Sequence, residues 1–271
     1  MRKSNCNNLL LVFFIILIGC DKGDSFDNAA RLRVKLTDAA SLVIKEMHID
    51  ISEISLYATD SLNANGEWIA LEYSGGEYNL LKLMNGKSIQ LLDQYFPSNV
   101  KIEKMRILFG NNNRIITNTD SLVHLQKVSE IADGLEIELS EIELMPNVIT
   151  YLMIDINAAL SVTESNGNWF LNPAARAFEE NWGGSISGFV APIEANPNIA
   201  IVKEETVLFT IPEPDGMFKF IGLEEGVWQI HIMAHPESMF MDTIFTDTLA
   251  AGEKKELTPR PIRLQLATPE E

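Results

Sequence analysis

The sequence predicts an all-β protein made of two β-sandwich-like domains. Apolar residues recur at every second position in several stretches, which is typical of strands with one buried face. Glycine, asparagine and proline residues that favour turns separate these stretches at short intervals. The chain has 271 residues and is 46% hydrophobic, so it is long enough for two globular domains, each with its own core.

Charge and cysteine content limit the classes of partner. The net charge is −17, from 38 acidic and 21 basic residues. Because binding a phosphate backbone requires clustered Lys and Arg, this charge argues against nucleic acid as a partner. The two cysteines, Cys6 and Cys20, are too few for a disulfide framework or a four-thiolate zinc site. We expect no bound metal and no cofactor.

The amino terminus has the features of a secretory signal. Arg2 and Lys3 precede an unbroken apolar run over residues 9–18. As a helix, this run would rise about 15 Å, which is half of the roughly 30 Å hydrocarbon core of a bilayer. The run is thus too short to span a membrane and has the length of the apolar segment of a signal peptide.

The apolar run ends in Leu17-Ile18-Gly19-Cys20, which resembles the lipobox of bacterial lipoproteins. In that family a transferase attaches diacylglycerol to the cysteine, and a dedicated peptidase cuts before it. The resemblance implies that residues 1–19 are a signal peptide. It also implies that the peptidase recognises Leu17, Gly19 and Cys20, and that Cys20 carries the lipid. Two or three acyl chains would anchor the mature protein durably in a membrane.

Residues 20–29 are predicted to connect the lipid to the folded body. The segment from Asp21 to Asn28 is polar, acidic and without periodicity, as expected of a tether. Asp21 and Asp24 loosely resemble the acidic tag that exports some lipoproteins of Gram-negative bacteria to the cell surface. The expected location is therefore the outer membrane or the cell surface of such a bacterium, and a plain spacer is the alternative role of the segment.

Alternating residues predict the first strands of a first domain, residues 30–183. Apolar and basic side chains alternate over residues 31–36, which indicates a half-buried strand. Alternation resumes over residues 47–51 and then shifts by one position at Ile54. Such a shift turns side chains to the opposite face unless a bulge absorbs it, so Ser52-Glu53 is a candidate β-bulge.

Turn residues and apolar runs predict the later elements of this domain. Asn65-Gly66 suits a tight hairpin turn, with residues 68–71 as the returning strand. Residues 78–84, closed by Asn85-Gly86, are predicted to form a short helix or helical turn. Further strands are predicted at residues 102–109, 135–144 and 148–156. The last of these is apolar on both faces and is expected to lie centrally in its sheet.

These landmarks resemble an uncharacterised domain family, a domain of unknown function, that occurs in bacterial lipoproteins. The resemblance covers residues 30–183 and implies a β domain without an assigned catalytic residue. The residues that carry it are Leu36-Thr37-Asp38-Ala39, Trp68, Leu71, Asn79-Leu80-Leu81, Asn85-Gly86, Met105-Arg106-Ile107 and Pro173-Ala174-Ala175-Arg176.

A second domain, residues 184–271, is predicted to follow and to end in a short acidic tail. Short strands separated by glycine and proline turns indicate a β-sandwich. They are predicted at residues 184–190, 206–211, 217–221, 227–234, 243–248 and 261–266.

Three patterns in this domain carry a second resemblance. G-x-I-x-G-x-V begins at Gly184, D-G-x-F-x-F-x-G-L at Asp215 and G-x-W-x-I at Gly226. In this order they resemble the carboxypeptidase-regulatory-like domain. The resemblance implies an immunoglobulin/transthyretin-like sandwich of seven strands over residues 184–266. That fold is grouped with carbohydrate-binding-like sandwiches. The grouping concerns the fold alone and does not identify a glycan-binding site.

Candidate metal sites have simpler explanations. His231 and His235 lie about 13 Å apart if both continue one strand, too far to bind a single metal ion together. The glutamates interleaved with apolar residues over residues 136–144 are expected to form the solvated face of a strand. Residues 61–72 partly resemble a calcium loop, but Ser61 replaces the obligatory Asp, so a hairpin loop is expected instead.

The four tryptophans are the remaining candidates for a binding site. Trp68 and Trp228 fall within predicted strands and are expected in the core. Trp169 and Trp182 lie nearer to turns and are candidates for exposed platforms on which sugar rings stack. Packing, or covering the domain boundary, is their alternative role.

The expected function is binding or display by a non-catalytic, lipid-anchored envelope protein, with carbohydrate as the first ligand considered. The alternative is a structural or adhesion protein that binds envelope or host proteins without a small-molecule ligand. A glycan-processing enzyme is the third hypothesis. The sequence contains no Gly-x-Ser-x-Gly elbow, no His-Glu-x-x-His motif, no P-loop and no dinucleotide-binding fingerprint. The expected partners are the membrane and either a glycan or an envelope protein.

Overall fold

The computed structural model of the protein describes residues 28–39, 44–59 and 65–267. These residues form strands and short 3₁₀ helices and contain no α-helix, which confirms the predicted all-β fold. No helix among them is long and apolar enough to cross a membrane. Predictions that fall outside the described residues concern Leu17, Gly19, Cys20, the tether and Ser61.

The strands fall into two groups along the described chain, which we call the first and the second β unit. The first unit contains β1 (Ala30–Ala39), β2 (Ile44–Thr59), β3 (Glu67–Ala70), β4 (Gly76–Asn79), β5 (Ile89–Phe96), β6 (Val100–Phe109), β7 (Arg114–Thr117), β8 (Leu122–His124), β9 (Gln126–Lys127), β10 (Leu135–Leu144), β11 (Ile149–Asn157), β12 (Val162–Ser165), β13 (Asn168–Leu171) and β14 (Ala174–Glu179). The second unit contains β15 (Gly184–Ala191), β16 (Asn198–Lys203), β17 (Thr206–Thr210), β18 (Met217–Leu223), β19 (Gly226–Met233), β20 (Thr243–Leu249), β21 (Lys254–Glu256) and β22 (Ile262–Arg263). The 3₁₀ helices are Leu80–Lys82, Ser129–Ile131, Ile193–Ala195 and Pro236–Ser238.

Two large sheets build the first unit. One has the strand order β14-β11-β1-β5, with β1 and β11 parallel. The predicted strand at residues 148–156 is therefore internal, which confirms its central place. The other sheet has the order β10-β6-β2-β7-β8, with β3 and β4 also paired to β2, and β12-β13-β9 form a small third sheet.

The predicted β-bulge is confirmed in β2. The register between β2 and β6 shifts between Ile51 and Glu53, and Ser52 is exposed at that point. Ile51 and Ile54 are both fully buried although three positions separate them. The extra residue thus keeps the apolar side chains of both halves of β2 on the core face.

The predicted helical turn at residues 78–84 is shorter than expected. Only Leu80–Lys82 is helical, because Tyr78 and Asn79 pair with β2 as the end of β4. Asn85 and Gly86 then reverse the chain with φ values of +60° and +75°. Strand pairing thus removed the start of the predicted helix, and the helix ends with Leu83 as its C-cap, before Asn85 and Gly86.

The second unit is a sandwich of two four-stranded sheets. One has β18-β15-β21 with β22 also paired to β15, and the other has the order β17-β16-β19-β20. The segments β21 and β22 pair one after the other with β15, and Pro259 and Pro261 lie between them. Because proline has no N–H to donate to a ladder, it interrupts what would be one strand. The eight segments therefore occupy seven strand positions.

The strand β16 was missing from the sequence-based prediction. Its apolar run, residues 199–202, shows no alternation, because Ile199, Ala200 and Ile201 are all buried in the middle of the sheet. A short apolar run of this kind carries no period-two signal. Its neighbours β17 and β19 were predicted because turn-forming proline and glycine residues mark where β17 ends and where β19 begins.

Buried apolar side chains form two separate clusters in the described residues. The first cluster takes its members from Ala30 to Leu171, and the second takes its members from Ile186 to Leu264. The predicted domain boundary after Gly183 falls between the two clusters. Trp228 is 2% exposed and belongs to the second cluster, as predicted.

The prediction that Trp68 lies in the core is wrong. Trp68 is half-buried and stands beside Tyr57 in the pairing of β3 with β2, and its neighbour Ile69 pairs with the buried Leu56. The guanidinium of Arg106 lies 3.9 Å from the centre of the Trp68 ring. Trp68 is thus held on the outer face of the sheet by a cation–π contact.

The glutamates of β10 form a solvated face, as predicted. Glu136, Glu138 and Glu141 are exposed and make ion pairs with basic residues of the neighbouring strand β6. The pairs are Glu136–Arg106 at 2.5 Å, Glu138–Lys104 at 2.6 Å and Glu141–Lys101 at 2.7 Å. Cross-strand pairs of opposite charge stabilise the pairing of β10 with β6.

Candidate functional site

Arg176 of β14 connects the two β units. Its Nε and Nη2 donate to Asp155 Oδ2 on the neighbouring β11, at 2.9 and 2.7 Å. Nη2 also donates to the carbonyl of Ile221 at 2.9 Å, and Nη1 donates to the carbonyl of Gly222. Asp155 is 5% exposed, and its Oδ1 has no hydrogen-bond partner among the residues that the structure describes. One guanidinium therefore compensates a buried carboxylate in the first unit and fastens β18 of the second.

Gly222 allows this contact to form. It has a φ of +61°, and a Cβ at this position would lie 2.3 Å from the ring of Phe178. The missing side chain lets the Phe178 ring pack directly against the backbone of β18. The Phe178 ring in turn lies 4.9 Å from the guanidinium carbon of Arg176.

Asn85 makes a second connection between the units. Its Nδ2 donates to the carbonyl of Ile211 at 2.9 Å and to Glu213 Oε1 at 3.1 Å. Its Oδ1 accepts from Thr210 Oγ1 at 2.8 Å and from the backbone N–H of Lys219 at 3.2 Å. Asn85 is 7% exposed. Its side-chain N–H₂ group and its side-chain oxygen therefore both form hydrogen bonds with the second unit in a place that solvent barely reaches.

Two further polar contacts flank Asn85. Lys87 Nζ lies 2.6 Å from Glu213 Oε1, and Asn157 Nδ2 donates to the carbonyl of Val207 at 3.0 Å. The hydrogen bonds from Lys87 and Asn85 hold the pKa of the Glu213 carboxyl below its ordinary value. The ionised form of Glu213 is thus the form that fits this junction.

A cavity of about 300 Å³ opens beside Arg176 where the two units meet. We call it the junction cavity. Glu138 and residues 140–142 of β10 line it from the first unit, together with residues 176–179 of β14 and Trp182. Its lining from the second unit consists of Lys203, Glu204, Thr206, Glu224 and Trp228.

Aromatic side chains form one part of the cavity wall. Trp182 is 37% exposed, and its ring centre lies 5.9 Å from that of Phe178. The indole of Trp228 is buried and donates from Nε1 to the carbonyl of Glu224 at 3.0 Å. Trp182 therefore presents an open aromatic surface, and the Phe178 ring packs against it.

Carboxylates dominate the polar part of the wall. Five glutamates line the cavity against two basic residues, Arg176 and Lys203. Arg176 is bound by Asp155, and Lys203 Nζ lies 3.0 Å from Glu224 Oε2. The carboxylates of Glu179 and Glu204 make no ion pair within the described part of the chain. The cavity thus carries uncompensated negative charge next to an aromatic surface.

Comparison with protein families matches the first part of this chain to a known family. The family model described as "Domain of unknown function (DUF4382)" matches residues 29–173, which is more than half of the chain. The chain belongs to this family. The match ends before Arg176, so the DUF4382 range is shorter at its end than the predicted residues 30–183.

Solved structures that resemble this DUF4382 protein were found at low sequence identity. The TIE protein of Bacillus anthracis is 9% identical, with 87% of this chain and 34% of that chain covered and a TM-score of 0.25. The shaft pilin SpaA of Lactobacillus rhamnosus GG is 8% identical, with 90% and 100% covered and a TM-score of 0.26. A fimbrial protein of Bacteroides ovatus is 10% identical, with 85% and 48% covered and a TM-score of 0.22. The chain thus spans about a third of the TIE protein, and no curated protein matches its sequence.

The junction uses residues that carried the sequence resemblance of the DUF4382 domain. Thr37 and Gly86 line a small space against the second unit, next to Asn85 and Arg176. The sequence offered no role for these residues, because their partners in the second unit are distant in the chain. Their motif membership was the only signal that could have drawn attention to them.

The structure separates the two tryptophans that were predicted as sugar platforms. Trp182 of the DUF4382 protein lines the junction cavity, and Trp169 is not among the lining residues. Trp169 lies on β13, is half-buried and packs against the first core cluster. Only Trp182 therefore combines an exposed ring with a concave site.

The two histidines have different surroundings. A ring nitrogen of His231 lies 2.7 Å from Gln229 Oε1 on the same strand. His235 follows β19, and its Nδ1 accepts from the backbone N–H of Glu237 at the start of a 3₁₀ helix. Among the described residues no group of three or more His, Cys, Asp or Glu side chains could hold a metal ion.

Proposed function

We propose that this protein is a non-catalytic, lipid-anchored surface protein of the structural or adhesion class, and that it binds a partner protein in the junction cavity. The observation that supports this proposal is the combination of an exposed Trp182 ring and surplus carboxylates in one concave site. A volume of about 300 Å³ accommodates a few side chains of a partner.

The chemistry of the cavity favours a basic side chain as the inserted group. A Lys or Arg side chain can lay its apolar stem and its charge on the Trp182 ring. Its charged end can then pair with Glu179 and Glu204, which have no internal ion pair among the described residues. The partner is thus a protein segment that presents Lys or Arg beside an apolar residue.

Charge reversal at the cavity tests this proposal. In the soluble body that begins at Asn28, Glu179→Lys combined with Glu204→Lys should weaken binding of Lys- and Arg-containing peptides at least tenfold, because each change adds a repulsive charge. Peptides selected from a random display library against the unchanged body provide the probe, and their affinity is measured by titration calorimetry. The matched control is Glu164→Lys with Glu237→Lys, which makes the same change in net charge at exposed positions outside the cavity. Equal losses in both variants, or a library without enrichment of basic residues, would refute the proposal.

Trp182 favours glycan binding as a second candidate function. A sugar ring can stack on the exposed indole while the surrounding carboxylates accept hydrogen bonds from its hydroxyls. A glycan array read with the soluble body separates the two candidates. Binding that is lost in Trp182→Ala but retained in Glu179→Lys would identify a glycan ligand.

Lipid anchoring at Cys20 is the part of the proposal that concerns location. We expect Cys20→Ser to abolish labelling with palmitate and to release the protein from the membrane fraction, because the thiol is the site of acylation. The measurement is metabolic labelling followed by fractionation of the cells. A Cys20→Ser protein that still incorporates palmitate and sediments with membranes would contradict the anchor.

A further inference from the structure

We propose that the end of the first β unit where the chain enters β1 docks onto the surface of the bilayer. We call this end the apolar tip and define it by Tyr95, Pro97, Met145, Val148 and Ile149. The proposal rests on the lipid anchor at Cys20 that belongs to the proposed function. It adds that the folded body itself contacts the membrane.

Three segments lie side by side at the apolar tip. The backbone N–H of Asn147 donates to the carbonyl of Ala29 at 3.0 Å, and the N–H of Arg31 donates to the carbonyl of Val148 at 3.0 Å. The N–H of Asn99 donates to the carbonyl of Leu144 at 2.7 Å. The start of β1 is therefore flanked by the turn between β5 and β6 and by the turn between β10 and β11.

The apolar tip is exposed and uncharged. Tyr95 is 51% exposed, Met145 and Val148 are each 47% exposed, and Ile149 is 39% exposed. The two stretches that supply them, residues 95–99 and 145–149, contain no charged residue, although 22% of the chain is charged. Clustered exposed apolar side chains of this kind mark an interaction surface.

The charged side chain that stands between Tyr95 and Ile149 has an acidic partner. Arg31 stands opposite both Tyr95 and Ile149 in the strand pairing. Its Nε and Nη2 donate to Asp93 at 2.6 and 2.8 Å, and its guanidinium carbon lies 5.8 Å from the centre of the Tyr95 ring. Arg31 can therefore approach a lipid surface with its guanidinium hydrogen-bonded to Asp93, which also accepts from Arg33.

The length of the intervening chain argues for the bilayer as the occupant. Ten residue steps separate Cys20 from Ala30, so the lipid holds the start of β1 within about 35 Å of the membrane. Tethering at this distance raises the effective concentration of the tip at the lipid surface. Tyrosine and exposed aliphatic side chains suit the boundary between headgroups and acyl chains.

A fluorescent label at the tip tests the inference in the full lipidated protein. Val148→Cys is labelled with an environment-sensitive dye after reconstitution into vesicles of phosphatidylethanolamine and phosphatidylglycerol, with nitroxide-bearing lipid as the quencher. The matched control is Val227→Cys, because Val227 is 58% exposed on β19 of the second unit. We expect a blue-shifted emission for Val148→Cys and at least threefold stronger quenching than for Val227→Cys.

The other outcomes overturn the inference in distinguishable ways. Equal or absent quenching in a protein that incorporates palmitate would overturn the docking surface and leave the anchor intact. Disulfide-linked dimers of unlabelled Val148→Cys, without lipid quenching, would show that the tip contacts a second copy instead. Absence of palmitate from the unchanged protein would overturn the anchor, and the docking surface with it.

Discussion

Replacing Arg176 by Ala is expected to lower the free energy of unfolding by about 3 kcal/mol, the low end of the range for removing one partner of a buried ion pair, because Asp155 is buried but the Arg176 side chain is 30% exposed. The carboxylate of Asp155, which is 5% exposed in the intact junction, would lose its cation. The carbonyls of Ile221 and Gly222 would lose the donor that joins them to the first unit. We therefore expect the two units to come apart more readily as well.

Urea denaturation and small-angle X-ray scattering of the body from Asn28 measure these two effects. The matched control is Arg33→Ala, because Asp93 keeps its two hydrogen bonds from Arg31 when Arg33 is removed and is not left without a cation. This change should cost about 1 kcal/mol. Combining Arg176→Ala with Asp155→Asn should restore part of the lost stability, because the buried charge is then absent. If Arg176→Ala behaved like Arg33→Ala, with an unchanged radius of gyration, the junction would not depend on this guanidinium.

Replacing Phe220 by Ala should destabilise the second unit by about 3–5 kcal/mol, through lost apolar burial and the cavity left behind. Phe220 is 5% exposed, and its ring centre lies 6.4 Å from that of Phe218 in an edge-to-face arrangement. Asp215→Ala should cost about 1 kcal/mol, because Asp215 Oδ1 accepts one hydrogen bond, from the N–H of Met217 at 3.0 Å.

The fragment of residues 184–271 is the sample for this comparison, because Trp228 is its single tryptophan and reports on the second core. A sandwich of this size has a small free energy of unfolding, so Phe220→Ala should leave the fragment unfolded even without denaturant. Tryptophan fluorescence in urea provides the measurement. A fragment that aggregates or unfolds without cooperativity would show that residues 184–271 require the first unit, and the predicted boundary would then be wrong.

Strand positions were predictable because side-chain alternation is a local property. Residues 31–36 show alternation directly, and the shift at Ser52 predicts the bulge that β2 contains. The prediction missed β16 because its apolar residues do not alternate with polar ones. It also placed Trp68 in the core, because the local pattern did not show which face of the sheet this side chain occupies. Trp68 is apolar enough for a core position, yet its place opposite Tyr57 and under Arg106 set it on the outer face.

The fold class and the strands with clear alternation could thus be predicted from local patterns, whereas the candidate site could not. Arg176 and Ile221 are 45 positions apart, and Asn85 and Lys219 are 134 positions apart. The junction cavity takes its aromatic surface and its carboxylates from both units. No period or motif in a sequence encodes which faces of two sandwiches meet, because that choice depends on how whole surfaces fit and on which buried polar groups find partners there.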